Sequence, residues 1–185
     1  MTNPRILALL APLTMLAACS VVATPYSPSV ENIQTLKSAA PVHARIGDFS
    51  SLDGGNNRYP LAVRANVMRS PVGNSFAEYL SNAVTQELTL SGTLSPSALV
   101  ELDGELLENN VDVGIGTATG TIAARFVVKR DDAVRYDQVK TVRSEWDSSF
   151  AAAIAVPRTT QQYPLIVQKL LRELYSDPAF ISAIR

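Results

Sequence analysis

Three carboxylates stand at alternate positions of one short segment, and their spacing is the pattern in this sequence that could support catalysis. Glu101, Asp103 and Glu105 alternate with mostly apolar residues over 99–107, as in a β-strand with one buried face. Two such carboxylates can act in glycoside hydrolysis, and a pair can bind calcium when other oxygens complete the shell. The alternation also explains them as the solvent-facing side of a strand, and this interpretation is favoured.

The only cysteine, Cys19, ends the sequence Leu-Ala-Ala-Cys at residues 16–19. One basic residue, Arg5, and a short apolar run at residues 6–15 precede it. The arrangement resembles the signal of bacterial lipoproteins, in which the peptide is cleaved before the cysteine and the thiol then carries lipid. The apolar run is shorter than the roughly 20 residues that a transmembrane helix needs. Residues 1–18 are therefore expected to be a signal peptide.

The resemblance implies that Cys19 carries a diacylglycerol and that the new amino terminus carries a further acyl chain such as palmitate. Two or more acyl chains give stable membrane anchoring. Ser20 follows the cysteine, whereas an aspartate there favours inner-membrane retention in enterobacterial lipoproteins. The expected location is therefore the outer membrane of a Gram-negative bacterium, with the chain facing the periplasm.

His43 is the only histidine, and no Gly-x-Ser-x-Gly motif accompanies it. A catalytic triad has no local signature here. A His/Cys metal site is excluded in practice, because Cys19 is assigned to lipid and one imidazole remains. We predict no catalytic residue, no metal site and no cofactor, and we interpret His43 as a surface or strand-edge residue.

A glycine-rich segment at residues 111–121 contains Gly114, Gly116 and Gly120. It lacks the lysine of a phosphate-binding loop, and Thr119 stands where a dinucleotide fingerprint needs glycine. A flexible or bulged hairpin segment is the favoured interpretation. An uncharged, glycine-rich strand is also a weakly specified edge that can pair with a partner's strand, so the three glycines are candidate interaction residues.

Trp146 lies on a predicted long strand at residues 136–150. Core packing is the default role of a tryptophan there, whereas exposure would indicate a binding face. The sequence leaves both alternatives open, and Trp146 is therefore a further candidate interaction residue.

The remaining patterns predict the elements that would position these residues. Ser75 and Glu78 have the spacing of a capping box, and Gly92 lies just past the apolar stripe of the helix that they begin. The predicted order is β-β-α-β-β-β-α, with strands at 41–49, 61–68, 99–107, 122–128 and 136–150 and long helices at 76–91 and from 159 or 163 to 175. This order indicates an α+β fold, with a mostly antiparallel sheet of four to five strands and two long helices packed on one face.

Composition and proline placement predict the domain organisation. Residues 19–40 contain scattered prolines among small polar residues and are interpreted as a lipidated, flexible tether. Residues 41–185 are expected to form a single periplasmic domain. Hydrophobic residues make up 46% of the chain, which is enough to form a core. The formal net charge is -1, so the chain lacks the basic excess that would indicate nucleic-acid binding.

The chain resembles the YajG-type bacterial lipoproteins, an uncharacterised envelope family. The resemblance rests on the Leu-Ala-Ala-Cys leader and on the apolar patterns at 42–46, 76–92, 99–107, around Phe126 and Trp146, and at 177–181. It implies no catalytic residues. A broader likeness, at the level of the fold, is to small periplasmic lipoproteins that assist lipopolysaccharide assembly or lipid transport, and such a likeness carries little functional weight.

Three functions follow as alternatives. The favoured one is a non-enzymatic accessory or assembly factor that binds another envelope protein, with the membrane contacted through lipid on Cys19. The second is a periplasmic domain that binds a lipid or a glycan between helices and sheet. The third is a carboxylate-dependent cell-wall hydrolase that uses Glu101, Asp103 and Glu105.

Overall fold

The computed structural model describes residues 19–39, 42–54, 57 and 59–185. The signal peptide predicted at 1–18 and the domain boundary predicted at 40–41 lie outside the described residues. The strands are β1 Ser20–Val22, β2 Arg45–Ser51, β3 Leu61–Val63, β4 Asn66–Arg69, β5 Val100–Val113, β6 Thr117–Arg130 and β7 Ala133–Asp147. The helices are α1 Val30–Ala39, α2 Phe76–Ser91, α3 Ala152–Tyr175 and α4 Pro178–Ala183.

A four-stranded sheet in the order β2-β5-β6-β7 forms the centre of the molecule. The long strands β5, β6 and β7 are antiparallel, and β2 runs parallel to β5. The long helices cover this sheet, with α2 against β2 and β5 and α3 against β6 and β7. The α+β class, the mostly antiparallel sheet and the two long helices are confirmed. The structure adds a second, three-stranded sheet in the order β1-β4-β3.

The space between the helices and the sheet is filled by apolar side chains. Leu102 and Phe126 of the sheet and Leu80 and Leu170 of the helices are almost fully buried. One continuous cluster joins the buried residues of both sheets and all four helices. Burial of this apolar surface is the main favourable term in the folding of the domain.

The Ser75 and Gly92 caps of α2 form as predicted, whereas the Ser75 amide donates to the Val72 carbonyl at 3.0 Å and not to the Glu78 carboxylate of a full capping box. The hydroxyl of Ser75 accepts a hydrogen bond from the Glu78 amide at 3.3 Å. Gly92 ends the helix in the left-handed region, with a φ of 77°, where glycine has no Cβ to strain.

Helix α3 begins at Ala152, seven residues before the earliest predicted start, and contains both Pro157 and Pro164. A proline inside a helix leaves the carbonyl four residues earlier without its amide donor. For Pro164 that carbonyl belongs to Thr160, and it accepts a hydrogen bond from the Thr24 amide at 3.1 Å. A distant segment therefore satisfies the backbone group that the sequence pattern treated as a helix boundary.

The segment predicted to be a flexible tether is part of the folded unit, and that prediction is wrong for the described residues 20–39. Strand β1 pairs in parallel with β4, and α1 packs against α2 and α3. The side chains of Asn32 and Leu36 are buried. The prolines and small polar residues that suggested a tether are present, but tertiary contacts order them.

Glu87, a buried carboxylate on α2, holds this segment in place. It accepts hydrogen bonds from the Tyr26 hydroxyl at 2.6 Å, the Ser29 amide at 2.8 Å and the Asn32 side-chain amide at 3.1 Å. Burial raises the pKa of Glu87, although these donors act in the opposite direction. We call Glu87 with these three donors the Glu87 clamp.

Candidate functional site

Cys19 is exposed and lies directly before β1. Its carbonyl accepts a hydrogen bond from the Val67 amide at 3.1 Å. Because β1 runs parallel to β4, the two strands begin at the same end of the molecule. The predicted lipid-bearing residue is therefore separated from the folded unit by no spacer on its carboxyl side.

Arg64 closes the same end of the molecule. It occupies the turn between β3 and β4 with a φ of 57°, and its guanidinium reaches two loops of the central sheet. It donates to the carbonyls of Val113 at 3.2 Å, Gly114 at 2.8 Å and Phe150 at 2.7 Å, and also to that of Ser149. The planar fork of an arginine suits such divergent carbonyl acceptors.

These contacts define the Cys19 end: Cys19, the β3–β4 turn, the β5–β6 turn at 114–116 and the β7–α3 loop at 148–151. The two loops also bind each other, because the Ser148 amide donates to the Gly116 carbonyl at 2.8 Å. No pattern in the sequence predicts the role of Arg64, because its partners are backbone groups about 50 and 86 residues away.

Gly114 and Gly116 lie at the Cys19 end, but their role is to form the turn. Gly116 has a φ of 86°, which favours glycine. A Cβ on Gly114 would lie 2.8 Å from the Thr117 carbonyl oxygen. The interpretation of 111–121 as a free sheet edge is wrong for residues 117–121, because β6 pairs with β5 on one side and with β7 on the other along its length.

Trp146 and Gly120 belong to the core, which corrects their candidate role as interaction residues. Trp146 is 9% exposed and packs within the central cluster. A Cβ on Gly120 would lie 2.5 Å from Cδ1 of Ile166 and 3.2 Å from the Trp146 ring. The glycine at this position lets α3 approach the sheet closely.

The three carboxylates of β5 form ion pairs on the open face of the sheet. Asp103 contacts Lys129 of β6 at 2.6 Å, and Glu101 pairs with Arg45. Glu105 lies 4.0 Å from Arg125. The open face carries opposite charges in neighbouring strands, as cross-strand pairing favours. The structure thus places these carboxylates on the solvent-facing side that the alternation indicated.

Arg125 also binds Asp137 of β7, in a two-pronged contact with both distances at 2.6 Å. This hydrogen bonding lowers the pKa of Asp137. His43 is exposed and precedes β2. Within the described ranges, no group of three or more His, Cys, Asp and Glu residues is arranged to hold a metal ion.

Two clefts lie at the surface of the described part of the chain. One of about 380 Å³ separates the loop after β2 from the start of α2, and its lining includes Asp53, Asn57, Tyr59 and Asn74. A second, of about 360 Å³, lies on the open face of the sheet over the ion pairs of Asp103 and Arg125. Of the helices in the described residues, none is long and apolar enough to cross a membrane.

Comparisons with known proteins identify the fold. The chain is similar to a solved structure of a DUF330 protein from Xanthomonas campestris, with a TM-score of 0.58 and 16% identity over 88% of this chain and 96% of that one. At such low identity the likeness shows the fold alone.

Two further solved structures are more distant. A hypothetical protein from Chlamydia trachomatis gives a TM-score of 0.49 at 13% identity, over 78% of this chain and 99% of that one. A candidate lipoprotein from Caulobacter crescentus gives 0.47 at 13% identity, over 81% and 93%. No protein-family model matches the chain, and no curated protein matches it.

Proposed function

We propose that this chain is a lipid-anchored protein of the bacterial cell envelope, held through Cys19 on the periplasmic side of the outer membrane. It acts without catalysis, as an accessory factor that binds another envelope protein. The observation that carries the proposal is the placement of Cys19. The residue that ends the leader pattern is exposed, and the folded unit begins immediately after it.

The arrangement of polar side chains supports a binding role over an enzymatic one. The carboxylates that could have served a hydrolase are engaged in ion pairs with Arg45, Lys129 and Arg125. The packed interior also disfavours a lipid or glycan held between helices and sheet, because buried side chains occupy that space. A small glycan would have to use the open cleft beside Tyr59.

Strand β7 offers a place for a protein partner. It forms one edge of the four-stranded sheet, and an edge strand can pair with a strand of another protein. Val134 and Val139 are exposed on it. Apolar side chains of this kind, beside the paired charges of the open face, suit a contact that combines backbone pairing with limited apolar burial.

The anchor is tested by the mass of the mature protein purified from envelopes. We expect a chain that starts at Cys19 with the added mass of a diacylglycerol and a further acyl chain. The matched variant Cys19→Ser should remain unprocessed or leave the membrane fraction, while its folded unit keeps the same thermal unfolding. A wild-type chain that is cleaved but carries no acyl mass would contradict the anchor.

The partner is tested by photo-crosslinking in intact cells, with the crosslinking residue at Val139. A control at Glu173, which is exposed on α3, measures background. We expect a defined adduct from the β7 position that is absent from the control. Identical patterns at the two positions would argue against binding through β7.

A further inference from the structure

An apolar patch is exposed at the Cys19 end. Ile115 at the tip of the β5–β6 turn is 74% exposed, and Phe150 in the β7–α3 loop is 80% exposed. Ile154 in the first turn of α3 is 51% exposed, and the alanines between Phe150 and Ile154 are also exposed. We call Ile115 with residues 150–154 the apolar tip. Large apolar side chains grouped in this way mark interaction surfaces more often than isolated ones do.

The backbone beneath this patch is fixed. Arg64 donates to the carbonyl of Gly114, which directly precedes Ile115, and to the carbonyl of Phe150 itself. The Ser148 amide ties the two loops together through the Gly116 carbonyl. Because the backbone is held in this way, folding the loops inward would break these hydrogen bonds, and Ile115 and Phe150 are kept pointing away from the core.

The strand directions place Cys19 at the same end as the apolar tip. Strand β4 begins two residues after Arg64, which contacts both loops that carry the tip. Strand β1 begins opposite the start of β4, with Ser20 paired to Val67. Because Ser20 already belongs to β1, a lipid on Cys19 would be attached directly to this end.

We propose that the apolar tip inserts into the interface of the membrane that holds the lipid on Cys19, so that the domain stands on the bilayer in one orientation. The inference rests on the proposed lipid anchor. An anchor without a spacer brings this end against the lipid surface, and apolar side chains that face a bilayer are buried in the boundary between headgroups and acyl chains. The opposite end, which exposes Asp131 and Asp132, then points into the periplasm.

The test uses the full-length protein, processed and lipidated in cells, in vesicles of phosphatidylethanolamine and phosphatidylglycerol. In a Phe150→Cys variant the new thiol is the only free one once Cys19 is lipidated, so it accepts a single environment-sensitive fluorophore. Val134→Cys is the matched control, because Val134 is 57% exposed near the start of β7, at the far end of the sheet. An Ile115→Cys variant repeats the test in the second loop.

We expect the fluorophore at 150 and at 115 to emit at shorter wavelength in vesicles. A lipid with a nitroxide near its headgroup should quench it more than one with the nitroxide near the chain end. The fluorophore at 134 should be unaffected by either lipid. Thermal unfolding of the labelled chains should match that of the unlabelled protein, because the replaced side chains are exposed.

Two results would overturn the proposal while leaving the anchor intact. One is an acylated chain whose fluorophore at 150 and 115 stays in water, as at 134. The other is a shift to shorter wavelength with no quenching by nitroxide lipids, which would mean that a protein surface, such as a second copy of the chain, covers the tip. A chain without acyl mass at Cys19 would overturn the proposed anchor first, and this inference with it.

Discussion

Arg64 and Asp177 lie toward opposite ends of the four-stranded sheet and bind different kinds of partner. At the Cys19 end, Arg64 donates only to backbone carbonyls. At the opposite end, Asp177 accepts from the Lys140 amine at 2.6 Å, the Tyr136 hydroxyl at 2.9 Å and the Ala179 amide at 2.8 Å. One residue fixes the path of two loops, and the other joins side chains and caps α4.

The difference concerns which side chains remain free of polar contacts at each end. A guanidinium that binds only backbone leaves the side chains of the loops free to be apolar and exposed, as Ile115 and Phe150 are. At the other end the Lys140 amine balances the charge of Asp177 and the Tyr136 hydroxyl donates a hydrogen bond to it, so these side chains are engaged with the carboxylate. That end exposes Asp131 and Asp132 together with the single apolar side chains of Leu99 and Val134. A loop can therefore be held in place with its apolar side chain exposed when the contacts that hold the loop are made to its backbone carbonyls.

The largest effect is expected from Glu87→Ala, which breaks the Glu87 clamp and so separates the segment that carries Cys19 from the rest. Tyr26, Ser29 and Asn32 would each lose a buried acceptor, at a cost of roughly 3–5 kcal/mol in the free energy of unfolding. Hydrogen exchange should show residues 20–39 opening before the sheet. Glu87→Gln keeps one acceptor oxygen and should cost less; equal losses in the two variants would contradict the clamp.

The next effect is expected from Arg64→Ala, which removes the bonds that close the Cys19 end. Hydrogen bonds that involve a charged group contribute about 1.5–3 kcal/mol each to stability. Because solvent can replace some of the Arg64 bonds, we expect a total loss of roughly 2–4 kcal/mol in urea unfolding. Amide exchange should rise in the 114–116 turn and the 148–151 loop only. Arg64→Lys keeps the positive charge but lacks the planar guanidinium. Full stability in that variant would show that the geometry of the guanidinium contacts is unimportant.

A smaller effect is expected from Asp177→Ala at the opposite end. The variant removes the cap on α4 and the acceptor for Lys140, which costs about 1–2 kcal/mol. Urea unfolding followed by tyrosine fluorescence measures the loss of stability, and amide hydrogen exchange in α4 measures the loss of the cap. Protection at the Cys19 end should be unaltered, and a loss there would mean that the two ends are not independent.

The pH dependence of stability should have opposite signs for Glu87 and Asp177. Burial raises the pKa of Glu87 above its ordinary 4.5, so the folded state favours the protonated carboxyl. The stability that this protonation contributes is lost as pH rises through the raised pKa. Hydrogen bonding from Lys140 lowers the pKa of Asp177 below its ordinary 3.8. Its contribution is present above that value and is lost as pH falls through the lowered one.

Urea unfolding of the wild type, Glu87→Gln and Asp177→Asn across the acidic range measures both contributions. The stability advantage of the wild type over Glu87→Gln should shrink as pH rises. Its advantage over Asp177→Asn should shrink as pH falls. Parallel pH curves for all three chains would contradict both assignments.

The smallest effect is expected from Arg125→Ala on the open face of the sheet. Its pair with Asp137 is short and two-pronged, but the side chains are exposed, and exposed ion pairs contribute little to stability. Thermal unfolding in low and high salt should show a minor decrease that salt reduces further. A loss as large as that of Arg64→Ala would mean that this face, and not the two ends, holds the sheet together.

Much of the fold follows from local pattern. Helix α2 was predictable because its caps are local: Ser75 accepts from a free amide at the start, and Gly92 adopts the left-handed conformation at the end. The strands of the central sheet were predictable from the alternation of apolar and polar residues along β5 and β6. The start of α3 was not, because Thr24 supplies the donor that Pro164 removes from Thr160. The helix propensities of the residues in α3 carry no information about that distant donor.

The candidate site was predictable only in part. The leader pattern predicts Cys19 as the lipid-bearing residue, and the glycines indicated a hairpin segment at 111–121, in which the turn at 114–116 lies. The sequence could not show that Trp146 is buried, nor that Ile115 and Phe150, 35 positions apart, share one end of the molecule. Their proximity depends on Arg64, which reaches both loops through carbonyls that every residue type carries, so no side-chain pattern records it.

The sequence by itself thus determined the α+β class, the capped helix α2, the alternating strands and the position of the predicted lipid attachment, because these depend on spacing within short stretches. The tertiary structure decided that residues 20–39 are docked, that Pro164 lies inside α3 and that the apolar tip lies at the same end of the molecule as Cys19. The physical reason is that these features depend on hydrogen bonds between groups far apart in the chain, made by the Glu87 clamp, by Thr24 and by Arg64.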